Sequence, residues 1–365
     1  MKLCDSAFEI EKNELYFDAV ISLGGTCQTA YQLNRMELRQ ESLPFDWLFS
    51  CLDHNKFIDS IRNDFSDWLN YDNLIVDENS ATEHLKVTDS KYNMIHQHIF
   101  PLDIPVSESY PDVIKHVNKR IARLLKYKNK QLDLLFIRTN MSVNEAEELR
   151  NILISKYGKN SVLVVLNHTK NFTIKRIPVS SDNLYIFEIY DENEHTGQNW
   201  RGYDKHWDYI FRNVKLKNKL LNIKNDAYFI NTFSWEINTK TSQLFRWCSK
   251  NSAINLIDFG GCMVSFILDS SKPIDVELQD ANGNTFHKCK VFNPTPIEFM
   301  ITHEKRIVTI NALKTWKPSE VFNSSDDREL SVFIQDIKIT QPNSKSSVLA
   351  NKGSRIFQTL FQRSN

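Results

Sequence analysis

Cys27 stands where a nucleophile would be useful. It follows the glycines Gly24 and Gly25 in the run LGGTC, which comes directly after the apolar, β-rich segment 17–24 and before a helical pattern. Thr26 is a candidate N-cap, so Cys27 is expected in the first turn of that helix. The amino end of a helix stabilises a thiolate, and its unpaired N–H groups can hold an oxyanion. The pattern predicts a reactive cysteine or, as the alternative, a buried cysteine that packs the first helix.

A cysteine nucleophile needs a base, and the sequence offers two choices among its histidines. His206 opens the last helix of the first domain, with Asp204 two residues earlier to orient the imidazole or to act as acid or base itself. His96 and His98 alternate on an extended segment and are expected to face the same side, so His98 is the second candidate base. This histidine pair has no matching cysteine or carboxylate cluster, and we predict no metal site.

The segment SLPFDWLFS (42–50) places Asp46 inside an apolar, aromatic run. A buried carboxylate must be paired or hydrogen-bonded, so we expect Asp46 to bond a backbone turn or a cation and to support the Cys27 turn. Direct participation in catalysis is the lesser alternative. The predicted substrate-binding residues are Gly24, Gly25, Thr26, Asp46, Trp47, Arg138, Trp200 and Trp207.

Composition and charge exclude several classes of protein. Lys plus Arg equal Asp plus Glu at 45 each, so no overall field favours nucleic acid. Residues 1–20 carry acidic side chains where a signal peptide would be apolar, and no long apolar run follows. The six cysteines are scattered without a CxxC pair, which fits neither a disulfide framework nor a zinc site. We expect a soluble, cytoplasmic protein with no nucleic-acid partner.

Strands alternate with helices through the first half of the chain. Each strand is almost continuously apolar, and Ser142 with Glu145 forms a capping box at the start of a helix that ends at Gly158. This order predicts an α/β domain whose mostly parallel sheet is covered by helices on both faces. The predicted strands are 17–24, 132–138, 161–168 and 184–190.

The pattern changes after residue 222 to short alternating segments separated by Gly, Pro, Asn, Asp and Ser turns, which predict an all-β sandwich. The expected organisation is therefore an α/β catalytic domain (1–222), a β-sandwich (223–341) and a tail (342–365). The tail carries apolar residues among Lys and Arg between 345 and 363, a composition that suits peripheral contact with the inner face of the cytoplasmic membrane. A docking segment or a disordered end is the alternative.

The run ISLGGTCQTAYQLNRMELRQESLPFDWLFS (21–50) resembles the opening of a bacterial family of unknown function labelled papain-like cysteine peptidases. That family couples a leucine-glycine turn, a cysteine and a helix to a Pro-Phe-Asp-Trp segment. The FIR at 136–138 and the Trp200 to Trp207 pattern fit its later parts. The resemblance implies that Cys27 is the nucleophile, but the family's histidine has no recognisable place here beyond His96 or His98.

The predicted doubly wound sheet departs from the papain architecture, in which a helical domain packs on a β-barrel-like one. In organisation the chain is equally similar to esterases and acyltransferases whose nucleophile follows the first strand and whose Asp/His pair opens the last helix. Cys27 with Asp204 and His206 would fit that plan.

In the second domain, segments 246–256 and 315–339 resemble a β-sandwich module of bacterial capsule and lipopolysaccharide biosynthesis proteins. This resemblance favours a transferase of surface-polysaccharide assembly that moves a glycosyl or acyl group at the Gly24–Cys27 turn. Its partner would be a saccharide or glycolipid intermediate. A nucleotide-activated sugar would be the donor, although LGGTC lacks the spacing of known nucleotide-binding loops. The alternatives are a cysteine hydrolase or papain-like peptidase with Cys27 as nucleophile, and a non-catalytic saccharide-binding assembly protein.

Overall fold

The computed structural model describes residues 14–50, 53–77, 84–191, 199–239, 241–322 and 324–341. The chain divides after Leu216 into two compact units. The division falls slightly before residue 222 because the strand Asn218–Leu220 pairs with the strand Phe333–Thr340, and Leu221 is buried in the core of the second unit. The predicted tail, 342–365, lies outside the described residues.

The first unit is built on a five-stranded sheet with the order β2-β7-β8-β10-β9, in which only the edge strand β9 is antiparallel. The strands of this unit are β1 (Leu15–Phe17), β2 (Ala19–Ser22), β3 (Leu48–Phe49), β4 (Leu74–Asp77), β5 (Lys86–Asp89), β6 (Met94–His96), β7 (Leu134–Thr139), β8 (Ser161–Thr169), β9 (Lys175–Ile177), β10 (Leu184–Tyr190) and β11 (Val214–Leu216). Its helices are α1 (Cys27–Arg35), α2 (His54–Arg62), α3 (Val106–Leu125), α4 (Val143–Tyr157) and α5 (Asp204–Phe211).

Both faces of the parallel strands are buried. In β7, Leu134 and Phe136 enter one hydrophobic core, whereas Leu135 and Ile137 enter another. Because side chains alternate along a strand, two cores on alternate residues mean that each face of the sheet is covered. The nearly continuous apolar sequences of these strands therefore suit a sheet that is buried on both faces, as predicted.

The mostly parallel architecture that we predicted holds for this sheet alone, and the first unit is a mixed α/β structure. A separate four-stranded antiparallel sheet has the order β3-β6-β5-β4, and β1 and β11 form a two-stranded parallel sheet. The strands of the antiparallel sheet have two to four residues each, too few to show a period in the sequence. His98 lies just after β6, so this unpredicted sheet positions one of the candidate bases.

In the second unit every pairing is antiparallel, and the strands surround one hydrophobic core as a nearly closed barrel or sandwich. The main path is β17-β16-β19-β14-β20-β15-β18, with β12 beside β20 and β13 beside β14. Its elements are β12 (Asn218–Leu220), β13 (Phe229–Ile237), β14 (Leu244–Asn255), β15 (Met263–Asp269), β16 (Ile274–Gln279), β17 (Thr285–Val291), β18 (Thr295–Met300), β19 (Ile307–Ala312), α6 (Pro318–Val321) and β20 (Phe333–Thr340).

Within the described ranges, no helix combines the length and the apolar character needed to cross a membrane.

Candidate active site

Cys27 is the first residue of α1, as the sequence predicted. Thr26 has extended backbone angles, and its hydroxyl accepts a hydrogen bond from the Gln28 N–H at 3.4 Å, so Thr26 is the N-cap. The Sγ atom of Cys27 lies 3.6 Å from Nε2 of His98, within hydrogen-bonding reach for sulfur. The structure thus brings together a thiol and an imidazole at the amino end of a helix.

The turn before Cys27 requires both of its glycines. Gly24 and Gly25 have φ values of +72° and +99°, which other residues rarely adopt. A Cβ atom on Gly25 would lie 2.1 Å from the Thr139 hydroxyl, and one on Gly24 would lie 2.9 Å from the Phe45 carbonyl oxygen. The Ser50 N–H also donates to the Gly25 carbonyl at 3.0 Å. The glycines therefore allow neighbouring chain segments to approach the turn and fix the start of α1.

Arg138, predicted to bind substrate, is fully buried beneath this turn. Its guanidinium donates to the carbonyl oxygens of Leu23 at 2.7 Å and Ser50 at 2.6 Å, and to the Ser50 hydroxyl at 3.0 Å. The group also lies 3.4 Å from the centre of the Phe57 ring. In this position Arg138 joins the strand before the glycine turn to the loop that covers it, and it supports the site from inside.

Burial controls the protonation of the nucleophile. It raises the pKa of the Cys27 thiol to about 11, although the backbone N–H of Cys27 acts in the opposite direction. The thiol is therefore protonated near neutral pH and becomes a strong nucleophile only when a base removes its proton. His98 is placed to be that base.

The other predicted acid–base pair lies in different surroundings. His206 accepts a hydrogen bond at Nδ1 from the Tyr190 N–H at 3.1 Å, and its ring packs against Tyr203 and Phe172. Asp204 accepts from the Gln32 side chain at 2.7 Å and forms an ion pair with Arg35. The contacts found for His206 and Asp204 among the described residues do not include Cys27. Asp204 contacts two side chains on one side of α1. The pairing of Cys27 with His206 stays a prediction.

The expectation that His96 and His98 face the same side is wrong. His96 is buried and accepts a hydrogen bond from Trp68 Nε1 at 3.3 Å, and this burial lowers its pKa to about 3. His98 is exposed and contacts Cys27. Strand β6 ends at His96, and the chain bends directly afterwards, so the alternation of an extended strand does not continue to His98. His96 is a neutral core residue.

Asp46 is paired as the sequence suggested. One carboxylate oxygen accepts from Arg39 Nε and from the Leu43 N–H, both at 2.8 Å. Only 2% of Asp46 is exposed, and this burial raises its pKa while Arg39 opposes the shift. The interaction closes the loop that carries Trp47, which is consistent with structural support of the site.

The three tryptophans predicted to bind substrate lie in two environments. Trp207 is fully buried in a hydrophobic core, where it packs on Phe211, and offers no surface to a ligand. Trp200 is 46% exposed, and its ring meets that of Trp47 edge-on at 6.3 Å between centroids. Trp47 and Trp200 are thus accessible at the surface near the start of α1. Trp207 is instead part of a hydrophobic core.

A buried polar network was missed by the sequence reasoning. Asp191, directly after β10, contacts His168 Nδ1 at 3.0 Å and accepts from the Gln28 side chain at 2.7 Å. His168 and Asp191 lie at the carboxyl ends of parallel strands, which form the edge where open α/β sheets place their sites. Gln28 follows Cys27 on α1. That rule, applied to the predicted strands 161–168 and 184–190, could have found them. Through Gln28, the residue after Cys27, this network connects α1 to the parallel sheet.

No group of three or more His, Cys, Asp or Glu side chains suited to a metal ion occurs in the part of the chain that the structure describes.

The fold and site define a mixed α/β unit with a cysteine–histidine pair at a helix amino end, followed by an antiparallel β unit. A family model described as "putative papain-like cysteine peptidase" matches residues 18–177, a range that includes Cys27 and His98. An uncharacterized protein of Acanthamoeba polyphaga mimivirus is 27% identical over 219 residues, covering 53% of this chain and 96% of the viral protein. The N-terminal region thus resembles the family that the sequence motifs suggested.

Similarity to solved structures is weak. A family 29 carbohydrate-binding module from Piromyces equi is 8% identical with a TM-score of 0.20, covering 37% of this chain and 98% of the module. A family two carbohydrate esterase from Cellvibrio japonicus is 13% identical with a TM-score of 0.20, covering 34% of this chain and 36% of the esterase. TM-scores this low carry no conclusion about the fold or the ligand of either unit.

These findings correct the main functional prediction. The assignment to surface-polysaccharide assembly as a glycosyl or acyl transferase is wrong, because the matching family is described as a cysteine peptidase, the class that the sequence offered as an alternative. Neither the family model nor the viral relative supports a capsule or lipopolysaccharide role or a bacterial origin. The family description does name an enzyme.

Proposed function

We propose that this protein is a cysteine hydrolase that cleaves peptide or related amide bonds, with Cys27 as the nucleophile and His98 as the general base. The observation that carries the proposal is the 3.6 Å contact between Cys27 Sγ and His98 Nε2 at the amino end of α1. A nucleophile within reach of a base is the arrangement that covalent hydrolysis requires. The family description supports the same class.

The reaction follows from these two groups. His98 Nε2 accepts the thiol proton while Cys27 Sγ forms a bond to the substrate's carbonyl carbon. Backbone N–H groups of the first turn of α1 stabilise the oxyanion. The carbon–nitrogen bond then breaks, and the proton held by His98 passes to the departing amine. Water attacks the thioester carbon as His98 takes its proton. The carbon–sulfur bond then breaks, the acid product leaves, and the proton returns from His98 to the Cys27 sulfur.

The raised pKa of Cys27 determines at which step of the reaction the thiol proton is transferred to His98. A thiol with a pKa of about 11 does not ionise appreciably by itself near pH 7. Proton transfer to His98 must therefore accompany the attack on substrate. The first chemical step therefore needs His98 as well as the thiol.

The proposal is tested with a library of fluorogenic peptides and three variants of the full chain. Cys27→Ala should abolish turnover, and His98→Gln should lower kcat/KM by about 10²- to 10⁴-fold, the usual contribution of a general base. His116→Ala, a change at an exposed histidine of α3, is the matched control and should keep wild-type activity. Hydrolysis that survives Cys27→Ala would refute the proposal.

A further inference from the structure

Three aromatic rings form a surface cluster beside the nucleophile. The Trp200 ring lies edge-on to Tyr31 at 5.3 Å and to Trp47 at 6.3 Å, with interplanar angles of 70° in both pairs. Trp200 is 46% exposed, and neither Tyr31 nor Trp47 is fully buried. Single exposed aromatic residues are common, but adjoining rings that remain open to solvent are typical of a recognition surface. We call Tyr31, Trp47 and Trp200 the aromatic cluster.

Each member of the aromatic cluster is attached to the chain around Cys27. Tyr31 follows Cys27 by four residues on α1, so both side chains project from the same face about 6 Å apart along the helix axis. The Trp200 carbonyl oxygen accepts a hydrogen bond from the Gln28 side chain at 3.4 Å. Trp47 directly precedes β3, and Ser50, directly after β3, donates its N–H to the Gly25 carbonyl. Three separate segments thus bring their rings together beside α1, the helix that Cys27 begins.

The backbone of Trp47 has an unusual conformation. Its φ is +62°, in the left-handed region that a bulky side chain rarely adopts. The paired carboxylate of Asp46, next to it in the chain, helps to hold this conformation. In this conformation the indole lies against Trp200 and is only partly buried.

A cation borders the aromatic cluster. The Arg201 guanidinium carbon lies 5.3 Å from the centre of the Tyr31 ring and 5.7 Å from that of Trp200. The ion pairs found among the described residues include no carboxylate partner for Arg201, and its side chain is exposed. An anionic group that comes to rest on the rings would meet this positive charge.

We infer that the aromatic cluster and Arg201 form the subsite that selects the substrate, and that this subsite takes a peptide with an aromatic side chain next to an acidic residue near the scissile bond. The inference rests on the proposed function of Cys27 and names the substrate class for it. The rings bind the aromatic side chain by edge and face contacts, and Arg201 binds the neighbouring carboxylate.

The test compares two fluorogenic peptides that are identical except that one carries Phe-Glu and the other Ala-Gln beside the cleaved bond. Wild-type protein should prefer the Phe-Glu peptide in kcat/KM. Trp200→Ala should reduce this preference about tenfold or more, the scale of a lost apolar contact in a specificity pocket. Arg201→Glu should shift the preference towards a Phe-Lys peptide. Trp235→Ala, at a tryptophan of the second unit that is 37% exposed, is the matched control and should leave the preference unchanged.

A binding measurement separates failure of this inference from failure of the proposed function. Cys27→Ala protein should still bind the Phe-Glu peptide more tightly than the Ala-Gln peptide, as followed by the fluorescence anisotropy of dye-labelled peptides, and should lose this difference when Trp200→Ala is added. Equal binding of the two peptides by Cys27→Ala protein would refute the subsite inference, whether or not Cys27 is the nucleophile. Binding of neutral oligosaccharides in place of peptides, abolished by Trp200→Ala, would also overturn it. Hydrolysis by Cys27→Ala would instead refute the catalytic proposal.

Discussion

The Sγ atom of Cys27 and Nε2 of His98 lie 3.6 Å apart although 71 residues separate them in the sequence. Cys27 begins a helix that packs on the parallel sheet, whereas His98 follows the last strand of the antiparallel sheet. The pair therefore depends on how these two sheets of the first unit meet. Substitutions that disturb this junction should affect the reactivity of Cys27 even where they touch neither member of the pair.

Gly25→Ala should destabilise the protein more than the same change at Gly158. Both glycines have φ near +100°, so an alanine is strained at either position. A Cβ atom would approach the Thr139 hydroxyl to 2.1 Å at Gly25, but would come no nearer than 3.4 Å to another atom at Gly158. We expect Gly25→Ala to lower the free energy of unfolding by about 2 kcal/mol more than Gly158→Ala in urea denaturation. Equal losses would show that the close approach at the glycine turn is absent.

Arg138→Ala should cost about 3 kcal/mol or more of stability. The substitution leaves the carbonyl oxygens of Leu23 and Ser50 buried without the guanidinium that they bond. Arg62→Ala, which removes exposed ion pairs of α2, is the control and should change stability by less than about 1 kcal/mol. Thermal and urea unfolding measure both variants. If Arg138→Ala is as mild as Arg62→Ala, the buried arginine does not hold the turn.

His96 should make the free energy of unfolding of the first unit decrease as the pH becomes acidic. Its pKa is lowered to about 3 in the folded protein by burial, whereas the unfolded chain has the ordinary histidine value of about 6.5. The unfolded state therefore binds a proton first, and stability present above about pH 6.5 is lost as the pH falls towards about 3. Each pH unit in this window should remove up to about 1.4 kcal/mol through this group.

The check is a series of urea denaturations between pH 7 and pH 4 for wild type, His96→Gln and His116→Gln. His96→Gln should have a shallower dependence on pH, and the exposed His116 should make no difference. A slope that is the same in all three proteins would mean that His96 is not held in its neutral form by burial.

The elements that the sequence predicted well are those specified by local patterns. Continuous apolar runs located the four parallel strands, the capping box of Ser142 and Glu145 located the start of α4, and Thr26 with the two glycines located Cys27 at the start of α1. Each of these signals lies within a few residues of the element that it specifies. For this reason the sequence alone sufficed to name Cys27 as the candidate nucleophile.

The partner of Cys27 could not be deduced in the same way. His98 was one of two candidate bases, and the choice depends on an antiparallel sheet of strands too short to show a period. The favoured His206 lies at a helix start that the pattern located correctly, but its Nδ1 bonds the Tyr190 backbone. Long-range packing decides which histidine reaches the thiol, and the local pattern around each histidine carries no information about it.

The rate of Cys27 alkylation should rise with pH well into the alkaline range. Because burial raises the thiol pKa to about 11, the reactive thiolate accumulates only as the pH approaches that value. Labelling with iodoacetamide, followed by peptide mapping from pH 6 to pH 10, measures the profile, with Cys289 in the same molecule as the reference. A rate that is already at its plateau near pH 7 would show a preformed thiolate, and proton transfer would then precede the binding of substrate.

The dependence of Cys27 on His98 is tested most directly by the second-order rate constant for Cys27 alkylation at pH 7.5 in wild-type and His98→Gln proteins. The account predicts that His98→Gln slows the reaction of Cys27 by at least about tenfold, since the thiol loses the base that accepts its proton, while Cys289 reacts at an unchanged rate. Equal rate constants for Cys27 in the two proteins would contradict the account.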